Sequence, residues 1–355
     1  MRAQVLAPLI GAFLLAACGG TRPAPAASSA GPSGPASAPA RSAGSVEPKP
    51  SLITTKPSGG DPNGYPIKIG FASPAVASWS FYAAFAQNYF AREHLNVTMI
   101  QMPGNVAITA LSKSEIDFTN SPGNAIEGAT RGLPFKMVLS AWSRTPWIVM
   151  GKPEYKSLKD LKGHLLGTNQ VGSSPYLHLQ AALRREGMTV NDLQIVSSPG
   201  TQDTFGQLLA GRIDAAVLSP PFDVQAEERG FHEVAFIGDA LQQPYTGLGT
   251  NTMFLSQHRP QVVAAIKALM DGTAWLKANP EGAADLIVKN LNTTPEVARR
   301  VTEKMLPFLS DTGEHPMAGV EEAIAIQAEL TKQPIAVKAE DIVDWSPLHE
   351  ALGKR

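Results

Sequence analysis

Apolar and polar residues alternate over Ile67, Ile69 and Phe71, which predicts a strand, and a polar stretch follows from Ser73 to Ser78. From Trp79 the period lengthens. Tyr82, Phe85, Ala86, Tyr89 and Phe90 recur at helical spacing and predict a helix whose aromatics enter a core. Val97 to Met102 reads as a second strand, Pro103-Gly104-Asn105 as a turn into a short helix through Ala107 and Leu111, and Ile116-Asp117-Phe118 as the entry to a third strand. The same order then returns, with Leu165 to Thr168, Leu193 to Ser197 and Ile213 to Leu218 as its three strands. Gly70 is answered by Gly167, Pro103 by Pro199, Ile116 by Ile213 and Ser121 by Ser219, at separations of 97, 96, 97 and 98 residues. A duplicated strand-helix unit of this length predicts two similar α/β lobes with a cleft between them.

Strands alternating with helices predict a parallel sheet in each lobe, with ligands received outside the carboxyl ends of the strands. The loops at those ends carry Ser73, Asn105 and Ser121 in the first copy and Ser173, Thr201 and Ser219 in the second. The remainder has no third copy. Thr250 to Leu255 reads as a short β-like run, and Pro260, Asn279-Pro280 and Thr294-Pro295 mark helix starts. Residues 65–143 with 247–355 are expected to form lobe 1 and residues 144–246 lobe 2, with crossings near Trp142 to Trp147 and Tyr245 to Thr250.

The first residues change the expected location. Arg2, an apolar run from Val5 to Ala17 and the close Leu15-Ala16-Ala17-Cys18 fit an export signal over residues 1–18. Cys18 is the one cysteine of the chain, so neither disulfides nor cysteine catalysis are available to the folded part. Residues 19–64 are mostly Ala, Pro, Ser and Gly and are expected to be a disordered tether. A flexible segment of about 46 residues has a typical end-to-end distance of roughly 35 to 40 Å. The formal net charge of −1 and the absence of a basic stripe argue against a nucleic-acid partner. The seven histidines are scattered without metal spacing, and neither a GxSxG turn nor a phosphate loop occurs, so no metal, cofactor or catalytic group is expected.

Candidate ligand contacts follow from the loops. Ser73 and Ser78 offer hydroxyls beside a helix N-terminus, or serve only as caps. Asn105 follows a Pro-Gly turn, and Ser121, Pro122 and Asn124 follow the third strand, where the repeat places Ser219 with Pro220. Ser173, Ser174 and Tyr176 form the most loaded turn, since Gly172 lets the backbone approach closely and Pro175 can begin a helix. Trp142 could cover an apolar ligand or pack a hinge. Asp223 stands where the first copy is neutral; pointed into the cleft it would pair with an amine of the ligand, and otherwise it only favours a helix start. Asp117 and Asp214 open their strands at the far end and are expected to be structural.

The small residues before Cys18 resemble a bacterial lipobox, whose cysteine is lipidated. With the IGF start, the PGN and PGT turns, EIDFTNSPGNA, LAGRIDAAVLSPPFD and DGTAWLKANPEGA, the chain from about Tyr65 to His349 resembles bacterial solute-binding lipoproteins of ATP-binding-cassette (ABC) importers. The branch is that for nitrate, sulfonates, taurine and thiamine-pyrimidine precursors. This resemblance implies the type II periplasmic-binding fold, with two α/β lobes and two hinge crossings. It also implies an exported, lipid-anchored monomer, at the outer face of the cytoplasmic membrane or in the periplasm, that passes a small solute to a membrane permease. The yeast pyrimidine-synthesising relatives carry a cysteine cluster that this chain lacks, which argues against an enzyme. A sensory receptor on the same clamp and an exported enzyme remain as alternative readings.

Overall fold

The computed structural model describes residues 60–72 and 74–354. The expected signal segment, Cys18, Ser73 and the tether up to residue 59 lie outside the described residues.

The first copy forms β1 (Tyr65–Phe71), α1 (Trp79–Ala86), α2 (Tyr89–Arg92), β2 (Leu95–Gln101), α3 (Gly104–Ser112), β3 (Phe118–Thr119), α4 (Pro122–Thr130) and β4 (Phe135–Ser140). The chain then crosses through β5 (Ile148–Gly151) into β6 (Leu165–Asn169), α5 (Ser174–Arg185), β7 (Gln194–Ser198), α6 (Thr201–Leu209), β8 (Ala215–Leu218), α7 (Phe222–Glu227) and β9 (His232–Phe236). It returns by β10 (Gly247–Asn251) to a helical remainder: α8 (Thr252–Gln257), α9 (Arg259–Ala278), α10 (Pro280–Leu291), α11 (Pro295–Met305), α12 (Met317–Thr331), α13 (Ala339–Ile342) and α14 (Ser346–Ala351).

The sheets have the orders β2-β1-β3-β10-β4 and β7-β6-β8-β5-β9. They are mixed, not parallel throughout as the strand-helix alternation suggested. In each, three strands of one copy run parallel, and a strand belonging to a crossing enters antiparallel as the fourth. β10 pairs with β3 and β4, while β5 pairs with β8 and β9. The pattern failed there because an inserted strand needs no helix before it.

The repeated residues interlock in the same way twice. A Cβ on Gly70 would lie 2.8 Å from Ile116 Cδ1, and one on Gly167 would lie 2.4 Å from Ile213 Cδ1. Each glycine is the space its isoleucine fills. Asp117 Oδ2 accepts from the Lys68 amide at 2.7 Å, and Asp214 Oδ2 accepts from the Leu165 amide at 3.1 Å, so each aspartate ties the start of the third strand to the first.

The helical remainder thickens the first sheet. α9 lays Val262, Ile266 and Leu269 against Phe81 and Phe85 of α1, and a Cβ at Gly272 would meet the Ser80 carbonyl at 2.7 Å, which requires glycine at that crossing. α12 covers α4 through Val320 and Ile324, packed on Ile126 and Met137. The run from Thr250 to Leu255 divides: Asn251 Oδ1 accepts from the Phe254 amide at 2.7 Å, so the strand ends in an N-cap and α8 begins. The ordered chain also starts earlier than the tether boundary, since the Asp61 amide donates to Leu95 O at 2.9 Å.

Gly247 is where the second crossing enters the sheet. A Cβ there would lie 1.9 Å from Leu139 O and 2.9 Å from Ser140 Cα, both backbone atoms that cannot swing aside. Gly247→Ala is expected to lower stability by about 1–3 kcal/mol, the usual overpacking range, read as a lower urea midpoint.

Candidate ligand-binding cleft

In lobe 2, the turn from β6 into α5 concentrates polar groups without internal partners. Gly172 takes φ +85°, and Ser173 stands at the N-cap of α5 without a side-chain capping bond. Its Oγ is buried and has no partner among the described residues, as is true of Thr168 Oγ1 and Asn169 Oδ1. Asn169 Nδ2 donates to Thr201 Oγ1 at 3.4 Å, which joins this turn to the start of α6. Ser174 is already committed: its Oγ accepts from Trp147 Nε1 at 3.0 Å. Tyr176 is half-buried on the same helix.

His178, one turn further on, holds that turn in place. Its Nδ1 donates to the Ser174 carbonyl at 2.8 Å and its Nε2 faces Thr145 Oγ1 at 2.9 Å. Burial lowers its pKa to about 4, so the ring is neutral at pH 7 and spans the crossing and α5.

In lobe 1, Thr119 at the end of β3 accepts from the Ser121 amide at 3.3 Å and from Asn124 Nδ2 at 3.0 Å. A Cβ on Gly104 would lie 3.0 Å from Asn124 Oδ1, so Asn124 sits against the start of α3. Ser78 is fully buried and accepts from Asn120 Nδ2 at 3.4 Å; Pro122 is buried in the first turn of α4, and Asn105 is exposed on α3. Tyr82, close to Ser78, has its phenol pushed up to about 12 by burial.

Between the lobes, Trp142 and Trp147 both present edges to Tyr245, at 5.5 and 5.9 Å between centroids. Trp142 is fully buried and its Nε1 has no partner among the described residues. Trp147, through Ser174, carries this aromatic series into the lobe 2 turn. Thus the structure joins Trp142 with Ser173 and Ser174 through Tyr245 and Trp147, and separately Ser121 with Asn124 through Thr119.

Asp223 differs from its expected place. It is fully buried, and its Oδ2 accepts from Lys304 Nζ of α11 at 2.9 Å. Its cation is the chain's own Lys304, and Asp223 stands in the first turn of α7, in keeping with the helix-start alternative. Ser219 beside it is buried too, its carbonyl accepting from the Phe222 amide at 3.0 Å. Glu227 and Glu233 stand 3.7 and 3.6 Å from the same ammonium. Burial pushes the Asp223 carboxyl up against the pull of Lys304; burial also opposes the lysine charge, but the three carboxylates together hold its pKa above the ordinary range.

The model of the family described as NMT1/THI5 like matches residues 77–283, more than half of the 355 residues. The chain belongs to the NMT1/THI5-like family. No curated protein sequence matches it significantly. Among solved structures, this NMT1/THI5-like chain is similar to the periplasmic aliphatic sulphonate binding protein SsuA of Escherichia coli, at 17% identity and TM-score 0.65, over 81% of this chain and 99% of that one. It is also similar to the periplasmic nitrate-binding protein NrtA of Synechocystis PCC 6803, at 12% identity and TM-score 0.68, over 82% of this chain and 89% of that one. A Candida albicans gene product with the generic periplasmic binding protein fold is similar at 14% identity and TM-score 0.60, over 81% and 94%. These likenesses show the type II periplasmic-binding fold of the NMT1/THI5-like chain.

Sequence reasoning missed Thr168, Asn169, Thr119, Asn120, Tyr245 and Lys304. The strand-end position that selected Ser73 and Ser121 applies equally to Asn169 and Asn120, so those two were within reach. Lys304 was not, because nothing in a lone helix sequence names a partner 81 residues away.

Lys304→Met leaves Asp223 buried without its cation and is expected to cost about 3–5 kcal/mol. Asp223 then binds its proton more tightly in the folded than in the unfolded chain, so this contribution is full at acid pH and is lost as pH rises through the raised pKa. The urea midpoint of Lys304→Met should therefore rise between pH 7 and pH 5. Asp223→Asn in the same chain should remove most of that slope.

Proposed function

We propose that this NMT1/THI5-like chain is the extracytoplasmic solute-binding component of an ABC importer, acting as a monomer tethered through lipidated Cys18. What carries the reading is the set of buried, unpartnered Thr168 Oγ1, Asn169 Oδ1 and Ser173 Oγ around the β6 to α5 turn. Buried polar groups are nearly always hydrogen-bonded, and such a set is suited to a ligand that completes it. The family and the fold support a small solute, and the aliphatic sulphonate binding protein of the same fold supports an organic one, whereas the nitrate-binding protein of that fold takes an inorganic anion.

The proposed contacts are Ser173, Asn169 and Thr168 from lobe 2, with Ser121, Asn124 and Trp142 from lobe 1. None of these is charged, so a neutral pyrimidine-like body or a singly charged sulfonate or carboxylate with an apolar part fits better than a multiply charged anion. Asp223 leaves the proposed set because its Oδ2 is paired with Lys304 of α11, which orients the carboxylate toward that helix, while Oδ1 is buried without a partner among the described residues. Ser174 acts by positioning, through Trp147 and the His178 contact. A solute that touches both lobes favours the closed form by its differential affinity, and release to a permease follows from reopening.

A thermal-shift screen of the chain against sulfonates, carboxylates and pyrimidines tests the reading. A ligand at a hundredfold excess over its Kd stabilises the native state by about 2.7 kcal/mol and raises the melting temperature. No shift with any of them, or recovery of chemically altered ligand, counts against a binding protein of this kind.

Thr168→Val and Ser173→Ala give a sharper check. Removing an unpartnered hydroxyl should leave the melting temperature of the free chain unchanged or slightly higher. Affinity for the ligand found in the screen should fall about five- to tenfold for each, on the scale of about 1 kcal/mol per hydrogen bond, as calorimetry would read.

A further inference from the structure

The middle of α12 rests on lobe 1, with Val320 and Ile324 against Ile126 and Met137, but both of its ends touch lobe 2. Near its start the Glu322 carboxylate accepts from the Gln242 amide at 2.6 Å, and a Cβ on Gly319 would lie 1.9 Å from the Gln242 carbonyl. Gln242 precedes the second crossing, so this end sits beside that crossing. The last turn reaches the β6 to α5 turn. Arg184 Nη2 of α5 donates to Glu329 Oε2 at 3.1 Å. A Cβ on Gly172 would lie 3.9 and 4.0 Å from the two δ-carbons of Leu330, so Leu330 stands where Gly172 lacks a side chain, one residue before Ser173.

This far contact is small and open to water. The Arg184 and Glu329 side chains are 53% and 58% exposed, and Leu330 is 41% exposed. By contrast Asp223, where α7 meets α11, is fully buried. An exposed pair of this kind shifts an equilibrium only about one-and-a-half- to fivefold. Position gives it leverage. The eleven residues from Gly319 to Leu330 span about 16 Å of helix, so turning lobe 2 by about 15° around the Gln242 end carries Gly172 about 4 Å away from Leu330. Both contacts of the last turn are then lost, while those at Gln242 hardly move.

We propose that the last turn of α12 is a latch, in which Glu329 and Leu330 hold the β6 to α5 turn while the lobes are together and release it when they part. The proposal rests on the clamp reading given above and on no particular solute. Glu329 and Leu330 act as positioning residues, through α5 and Gly172, on the turn that carries Ser173. The weakness of the latch suits a clamp, since a strong one would hold the free chain shut against entry, whereas a small bias leaves the balance to the solute.

The test uses the ligand-free full chain with Cys18→Ser and spin labels on Lys113→Cys and Arg212→Cys, exposed positions just past α3 and α6. Distances between the labels should show a compact and an open population. Arg184→Glu and Glu329→Arg each bring like charges together and should raise the open-to-compact ratio about two- to fivefold. Both changes in one chain restore the pair in reverse, and the ratio should return to that of the parent. Leu330→Asp should raise the ratio about fivefold or more, as lost apolar contact and a second carboxylate beside Glu329 act together. Melting temperatures should stay within about 2 °C of the parent, because all three side chains are exposed. A ratio unmoved by the single changes, a reversed pair that fails to restore it, or a melting temperature lowered by more than about 5 °C alongside the shift, the mark of a merely structural contact, would each overturn the latch. The solute screen can fail while these outcomes hold, and the reverse, so the two readings stand or fall separately.

Discussion

The Ala141 amide donates to the Thr246 carbonyl at 2.7 Å, and this bond holds the two crossings side by side. Both then feed inserted strands: β5 enters the second sheet after leaving the first copy, and β10 enters the first sheet on return. Each lobe is thus completed by the chain that leaves it or comes back to it. Tyr245 packs on the cluster containing Trp142 and on the cluster containing Trp147, so one ring is shared by the cores of both lobes. That bond and that ring lie where the chain passes between the two sheets.

The polar groups divide by their partners. In one set Lys304 of α11 gathers Asp223, Glu227 and Glu233, and Val224 of α7 enters the same apolar cluster as Met305 and Phe308. A buried ion pair of this kind contributes little net stability against an apolar substitute, but removal of either partner is costly. Its effect is to fix how α7 sits on α11. Elsewhere Thr168 Oγ1, Asn169 Oδ1 and Ser173 Oγ are buried without a partner among the described residues.

Much of the architecture could be read from the sequence because it was written twice. The pairs Gly70 with Ile116 and Gly167 with Ile213 are close contacts as well as landmarks, and Asp117 and Asp214 make the same amide tie in each lobe. Those are local or near-local relations that a repeat exposes. The inserted strands were not legible, since Gly247 to Asn251 is short and its partners Met137 and Thr119 lie more than a hundred residues away. For the site, the strand-end rule selected Ser121 and Ser173, and it left Asp223 between a ligand's amine and a helix start, because the position of α11 depends on a tertiary contact that no periodicity records.

The contrast between Ser173 and Ser174 shows how finely a site is set by one residue's register. Both lie in one turn, and both were equal candidates by composition. Ser174 is turned to Trp147 and His178, and its hydroxyl oxygen accepts from Trp147 Nε1. Ser173, at the N-cap, has a buried hydroxyl that makes no capping bond. The pair therefore divides the labour, Ser174 tying the turn to the hinge aromatics while Ser173 retains an unused donor and acceptor. Both hydroxyls ride on a single backbone segment, the one that Gly172 allows to bend at φ +85°.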